Sequence, residues 1–210
     1  MRELAPRLAQ QQALGQVLEL GTGSGVVLAT LLALGARHAM GVDLEAQAVD
    51  TTRALLAQQG LTERASVLQG DLWAPCRGLT FDLIVTNLPQ FPLLAPLPDG
   101  RLPSWSSGGA DGRALIDPFL AQLGQHLKPR GRALMTHNVF VDLEQTQQVL
   151  AQQGLRASVA STQSVRLAQH KWQGMNPRVL DRYFGRGLHS VGEFRFADFV
   201  VLDIGRDGDA

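Results

Sequence analysis

Three segments of the chain place glycine beside an acid where a small ligand could be gripped. Glu19-Leu-Gly-Thr-Gly-Ser-Gly25 lies between an apolar strand-like run, Gln16 to Leu20, and an apolar helix-like run, Val26 to Leu34, closed by Gly35. Its glycines let the backbone turn tightly and approach a ligand closely. Asp43 ends the next short apolar run, Ala39 to Asp43. A carboxylate there can accept from both hydroxyls of a ribose, or it can cap the helix that follows. Asp71, after Gly70, ends a third run, Ala65 to Gln69. A dinucleotide fingerprint would need glycine at 21, 23 and 26. Position 26 is Val, and the loop also lacks the Gly-Lys-Ser/Thr ending of a phosphate loop. A nicotinamide-dependent oxidoreductase is therefore disfavoured.

A fourth run, Phe81 to Thr86, ends in Asn87-Leu-Pro-Gln90. Asparagine offers a carbonyl acceptor and an amide donor. Pro89 has no N–H and keeps the residue before it extended, so carbonyls nearby can point outward. His137 and Asn138 end a fifth run, Gly131 to His137, and are expected to face the same cleft. His137 there serves either as a base or as a structural hydrogen-bonding group. His38, His126 and His189 have no metal-ligand spacing, and the single cysteine, Cys76, reads as a structural thiol.

These residues need a scaffold that gathers strand ends. Helices are expected over Val26 to Leu34, Glu45 to Gln59, Asp111 to Leu127 and Val141 to Gln153, with Gly35, Gly60 and Gly154 as stops. Arg156 to Val165 and Glu193 to Asp203 read as the sixth and seventh strands. Strands alternating with helices imply a parallel sheet with right-handed crossovers, in which ligands sit beyond the carboxyl ends of the strands. Pro89 to Ser107 is a proline-rich loop beside those ends. Arg166 to Gly192 is an irregular insert, with one short helix at Pro177 to Phe184 capped by Asn176. The insert carries Arg166, His170, Lys171, Arg178, Arg182 and Arg186 around Trp172 and Tyr183. It reads either as a solvated loop over the sheet edge or as an anion-binding, substrate-recognising element.

The 210 residues fit a single domain, 1–210, with an insert at about 166–192. Lys+Arg and Asp+Glu both number 19, which argues against holding long nucleic acid by phosphate neutralisation. Met1 to Gln12 has no signal-like apolar core, and Val26 to Ala36 is too short and too interrupted to span a bilayer. A cytoplasmic protein without membrane partners is expected.

Glu19-Leu-Gly-Thr-Gly-Ser-Gly25, Gly41-Val-Asp43 and Gly70-Asp-Leu72 resemble the successive cofactor motifs of class I S-adenosylmethionine-dependent methyltransferases. The resemblance implies a Rossmann-like, seven-stranded, mostly parallel sheet with one antiparallel strand and helices on both faces. It implies that Gly21, Thr22, Gly23 and Gly25 cradle the methionine part of S-adenosylmethionine, with Glu19 near its amino group. Asp43 would bind the ribose and Asp71 the adenine amino group, with Leu44 and Leu72 packed on the ring.

Asn87-Leu-Pro-Gln90 resembles the Asn-Pro-Pro-Tyr motif of the protein glutamine N5 methyltransferases, which modify release factors and a ribosomal protein. Gly108-Gly-Ala-Asp-Gly112, followed by Ala114-Leu-Ile-Asp117, is similar to a stretch downstream in that family. The resemblance covers about residues 16 to 135. It implies that Asn87 and the Leu88 carbonyl accept the two N–H bonds of a target nitrogen, that Pro89 shapes the turn, and that Asn87 stands where cofactor and acceptor meet. Gln90 stands where the family has an aromatic ring, which leaves the acceptor open: a protein or small molecule, through nitrogen or sulfur. The first strand opens at Gln16, so the family's N-terminal helical substrate-gripping domain is not expected. The competing reading is a non-catalytic binding or partner subunit with this fold.

Overall fold

A computed structural model describes residues 14–97 and 105–206. The reading of Met1 to Gln12, and the part of the proline-rich loop at 98–104, lie outside the described residues. The first half alternates strand and helix: β1 (Gln16–Leu20), α1 (Val26–Ala33), β2 (His38–Asp43), α2 (Ala46–Gln58), β3 (Ala65–Gln69) and β4 (Phe81–Thr86). Then follow α3 (Ile116–His126), β5 (Leu127–Asn138), α4 (Leu143–Ala151), β6 (Leu155–Leu167), α5 (Gln169–Gly174), α6 (Pro177–Tyr183), β7 (Leu188–Val191) and β8 (Phe194–Arg206).

The sheet order is β3-β2-β1-β4-β5-β8-β6, with β7 paired to β8. Strands β1 to β5 pair in parallel, and β8 runs antiparallel to both β5 and β6. A parallel sheet covered on both faces buries its central strands almost throughout; β1 is buried from Val17 to Leu20 and β4 at every position but half-buried Asp82. Their side chains divide by alternation. Leu18, Leu20 and Ile84 join Phe119, Leu120 and Leu123 of α3 in one core. Val17, Leu83 and Val85 join Leu28, Leu31 and Leu32 of α1 and Val49 and Leu56 of α2 in the other. Each fully buried leucine or phenylalanine contributes about 1.5–3 kcal/mol, so the two cores hold the strand ends rigidly.

The seven expected strands are present, and the sheet has an eighth, β7. The expected irregular insert is instead largely regular, with α5, α6 and β7. β8 explains this. It is 13 residues long, and only Phe199 to Ile204 pairs with β5. Its first residues run past the carboxyl end of β5, and β7 takes up the vacated side from Phe194 to Ala197. The three-stranded extension of β6, β8 and β7 therefore rises on the side where the parallel strands end. Helix α3 starts at Ile116 rather than Asp111, because Gly112 takes φ 85° in the turn before it. Among the described residues, no helix is long and apolar enough to cross a membrane.

Candidate active site

The glycine loop is shaped by contacts that glycine alone permits. Gly25 ends it at φ 74°, and a Cβ there would stand 2.9 Å from the Thr52 Cα on α2. Thr22 is buried, and its hydroxyl accepts from Thr52 Oγ1 at 3.2 Å. The loop is tied to the neighbouring strand end by Asp43. One carboxylate oxygen accepts from Gly23 N at 2.9 Å, and the other from Glu45 N, at the start of α2, at 3.0 Å. The helix-capping alternative weighed from the sequence is not what Asp43 does: the N-cap of α2 is Glu45, without a side-chain cap, and on that side Asp43 holds only the backbone of the turn before it. An ionised carboxylate has about four acceptor positions, so capacity remains for two further donors. Gly70 N donates to the Asp43 carbonyl at 2.9 Å, which brings the end of β3 alongside.

Glu19 sits beneath this loop, 5% exposed. Among the described residues its Oε2 is the buried side-chain polar atom with no hydrogen-bond partner. Burial pushes its carboxyl up to about 8; a backbone hydrogen bond from Leu28 opposes the rise and repulsion from Asp43 adds to it. A buried acceptor without a donor is costly, about 1–3 kcal/mol, and it marks a place where a ligand donor fits. Asp71 is exposed in the turn after β3. Leu72 beside it takes φ 42°, an uncommon conformation for a non-glycine residue. Trp73 clamps this turn from below: it is buried, donates to the Phe119 carbonyl at 3.1 Å and stacks on the His126 ring at 4.3 Å. Leu44, 55% exposed, and half-buried Leu72 offer apolar surface near the two acids.

Asn87 stands at the next strand end. β4 neighbours β1 in register Leu20↔Thr86, and Thr86 Oγ1 donates to the Leu20 carbonyl at 2.9 Å. Asn87 is exposed, and its Oδ1 accepts from the Thr136 hydroxyl of β5. Gln90 is turned inward and buried. Its Nε2 donates to the Leu88 carbonyl at 3.2 Å and to the Thr136 carbonyl at 2.6 Å, and its Oε1 accepts from Asn138 N at 2.8 Å. The Leu88 side chain is buried in the core, and Pro89 is half-buried. The structure thus brings Glu19, Asp43 and Asn87 to adjacent strand ends, with Asp71 one strand further out.

The glycine-rich stretch packs directly behind this turn. Gly108 N donates to the Phe91 carbonyl at 2.9 Å. A Cβ on Gly112 would come within 2.3 Å of Val141 Cγ1 and 2.6 Å of the Gln90 carbonyl. Arg113, buried, ties the stretch to the β5–α4 connection. Its Nη1 reaches the Val141 carbonyl at 2.7 Å, the Asp142 carbonyl at 2.9 Å and Thr146 Oγ1 at 3.1 Å, while Nη2 pairs with Asp117 at 2.6 Å.

His137 does not face the cleft, contrary to the sequence expectation. It is fully buried, with Nδ1 on the Asn138 carbonyl at 2.8 Å and Nε2 on Thr146 Oγ1 at 2.8 Å. A carbonyl only accepts, so Nδ1 carries the proton and Nε2 receives the Thr146 hydroxyl. Burial foremost pushes its pKa down to about 4, so it is a neutral structural ring. Cys76 is buried and its thiol is pushed up to about 11, in keeping with a structural role. Among the described residues no cluster could hold a metal. The sequence reading passed over Thr136. Its signal was positional: it precedes His137 on a strand parallel to β4 and reaches the same end.

This arrangement defines the Rossmann-like fold of class I methyltransferases, a class whose members use S-adenosylmethionine. A ribosomal protein L11 methyltransferase from Lactobacillus delbrueckii superposes with a TM-score of 0.61, covering 98% of this chain and 76% of that one at 18% identity. In sequence, the family model for ribosomal protein L11 methyltransferase (PrmA) matches residues 4–99. A release factor glutamine methyltransferase from Gloeobacter violaceus is 32% identical over 123 residues, covering 55% of this chain and 43% of that protein. A ribosomal protein uL3 glutamine methyltransferase from Bradyrhizobium diazoefficiens is 35% identical over 126 residues, covering 57% and 39%. The chain thus matches less than half the length of these curated relatives.

Proposed function

We propose that this chain is an S-adenosylmethionine-dependent methyltransferase that methylates an amide or amino nitrogen, with a protein glutamine side chain as the leading acceptor class. The observation that carries the reading is the unpartnered, buried Glu19 Oε2 beside Asp43, one strand from the exposed Asn87. These residues fit the cofactor. Glu19 would hold its ammonium group, Asp43 its ribose hydroxyls and Asp71 its adenine amine, with Leu44 and Leu72 on the ring. Gly21, Thr22, Gly23 and Gly25 would line the methionine part. The bound cofactor supplies an electrophilic methyl group.

The chain's own part is positioning. Asn87 Oδ1 and the Leu88 carbonyl are acceptors for the N–H bonds of the target nitrogen, and Pro89 keeps the backbone extended between them. The residues at this end, Asn87, Gln90, Thr136 and Asn138, are all neutral. That favours a nitrogen that is already uncharged, such as an amide, over a protonated amine that must first lose a proton. The match to the two glutamine methyltransferases supports the same acceptor class.

We read the insert as the element that recognises the acceptor. Asn176 N donates to the Pro92 carbonyl at 2.7 Å, and Asn176 Nδ2 to the Ala110 carbonyl at 2.7 Å. Met175 bridges Leu93. Both segments that frame Asn87 are thereby fastened to it, which supports reading the insert as a wall of the acceptor site.

Calorimetric titration with S-adenosylmethionine and a methyl-transfer assay on release factor, uL3 and L11 test the proposal. Asp43→Ala should weaken cofactor binding tenfold or more, about 1.4 kcal/mol. Asn87→Ala should bind cofactor like the wild type yet transfer no methyl group. An Asn87→Ala protein with full turnover would sink the assignment.

A further inference from the structure

We propose that Gln90 and Thr136 are positioning residues that preset the two acceptor oxygens, Asn87 Oδ1 and the Leu88 carbonyl; this rests on the acceptor-site reading above.

The β4–β5 ladder stops at Thr86↔Met135. Beyond it the backbone of Asn87, Leu88 and Pro89 leaves the sheet, and β5 continues to Asn138. In a parallel ladder, one residue donates to a carbonyl on its neighbour strand and accepts from the N–H two residues further on. The Gln90 side chain reproduces that pattern. Its Nε2 donates to the Thr136 carbonyl at 2.6 Å, and its Oε1 accepts from Asn138 N at 2.8 Å. The amide acts as a rung of β4 built from a side chain. It keeps the end of β5 satisfied while the main chain of β4 is free to enter the cleft.

The second N–H of Gln90 goes to the Leu88 carbonyl at 3.2 Å. Thr136, whose carbonyl Gln90 grips, sends its hydroxyl to Asn87 Oδ1. One network therefore reaches both acceptor atoms. Each carbonyl oxygen has two acceptor positions. One on each is filled from within the protein, and one is left, which matches the two N–H bonds of a primary amide. The Thr136 hydroxyl also fixes which face of the Asn87 amide carries the oxygen. A tyrosine at position 90 has a single O–H and could not make both donations, which gives the departure from Asn-Pro-Pro-Tyr a physical reason.

The test combines nuclear magnetic resonance of the free protein with turnover on release factor. Side-chain amide signals of Asn87 and Gln90 are assigned from their loss in Asn87→Ala and Gln90→Met. The Gln90 signals should exchange at least a hundredfold more slowly than those of exposed glutamines, and Thr136→Val should shift the Asn87 signals while Thr136→Ser leaves them in place. Thr136→Val should lower kcat by about 10–100-fold with KM for the cofactor unchanged, and Thr136→Ser should restore it. Fast exchange at Gln90, or Asn87 signals indifferent to Thr136→Val, would overturn the proposal in the free protein. Turnover separates the two levels: Asn87→Ala inactive with Thr136→Val and Gln90→Met at wild-type kcat discards the positioning role alone. Full activity in Asn87→Ala discards the acceptor site with it.

Discussion

Glu19 is buried with an unpartnered oxygen and a carboxyl pushed up to about 8, so at neutral pH the free protein holds it mostly protonated. An ammonium ligand favours the ionised form. Binding must then release a proton below about pH 8, and affinity for S-adenosylmethionine should rise with pH between about 6 and 8 before levelling. Titration in two buffers of different ionisation enthalpy would reveal the proton. Glu19→Gln should abolish both the release and the pH dependence while weakening binding tenfold or more. Equal heats in the two buffers would mean that Glu19 is already ionised.

At the scale of elements, the glycine-rich stretch before α3 acts as a wedge behind the Asn87 turn. Gly112→Ala forces an L residue to φ 85° and drives a Cβ into Val141 and the Gln90 carbonyl. It should cost about 2–3 kcal/mol of stability, read as a lowered denaturant midpoint, and should impair methyl transfer more than cofactor binding. Gly109→Ala, at φ 80° with Ala114 Cβ 3.1 Å away, separates backbone strain from the clash. What the sequence disclosed follows the same division. β1, β2 and β4 were legible with the helices α1 and α2 because burial makes these strands largely apolar runs, ended at Gly21, Asp43 and Asn87. β7 and α5 were not, because α5 buries none of its residues fully and β7 pairs only with the overhang of β8, a tertiary fact. Asp43 and Asn87 stood out by type and position. The inward turn of Gln90 and the hydroxyl of Thr136 did not, since a hydrogen bond between two strand ends leaves no local pattern.

For the whole molecule, two buried groups set opposite pH slopes. His137 is held down to about 4, whereas the unfolded chain takes up a proton near 6.5. Stability from keeping it neutral is present above 6.5 and lost as pH falls toward 4. Glu19 is raised to about 8 against 4.5 when unfolded, so its contribution falls as pH rises from 4.5 to 8. The two partly cancel below 6.5. Above it Glu19 acts alone, with a slope of at most about 1.4 kcal/mol per pH unit. Thermal melts should show the wild type losing stability from pH 6.5 to 8 and Glu19→Gln holding level. His137→Gln should instead keep gaining stability as pH falls from 6.5 to about 4.5, where the wild type stays nearly level. Saturating cofactor, which keeps Glu19 ionised in the native state too, should flatten the alkaline slope.

The position of β8 has a consequence for synthesis. β8 follows β6 in the chain yet lies between β5 and β6 in the sheet. β6 makes its ladder with β8, from Leu155 to Leu167. On the ribosome, β5 and β6 therefore emerge before the strand that joins them. A nascent chain halted near Gly192 would carry a bare β5 edge and thirteen residues of β6 with no ladder partner. Those open edges are a ready template for pairing with other chains. The interval between β6 and β8, residues 168–193, is also the window in which a chaperone has most to protect.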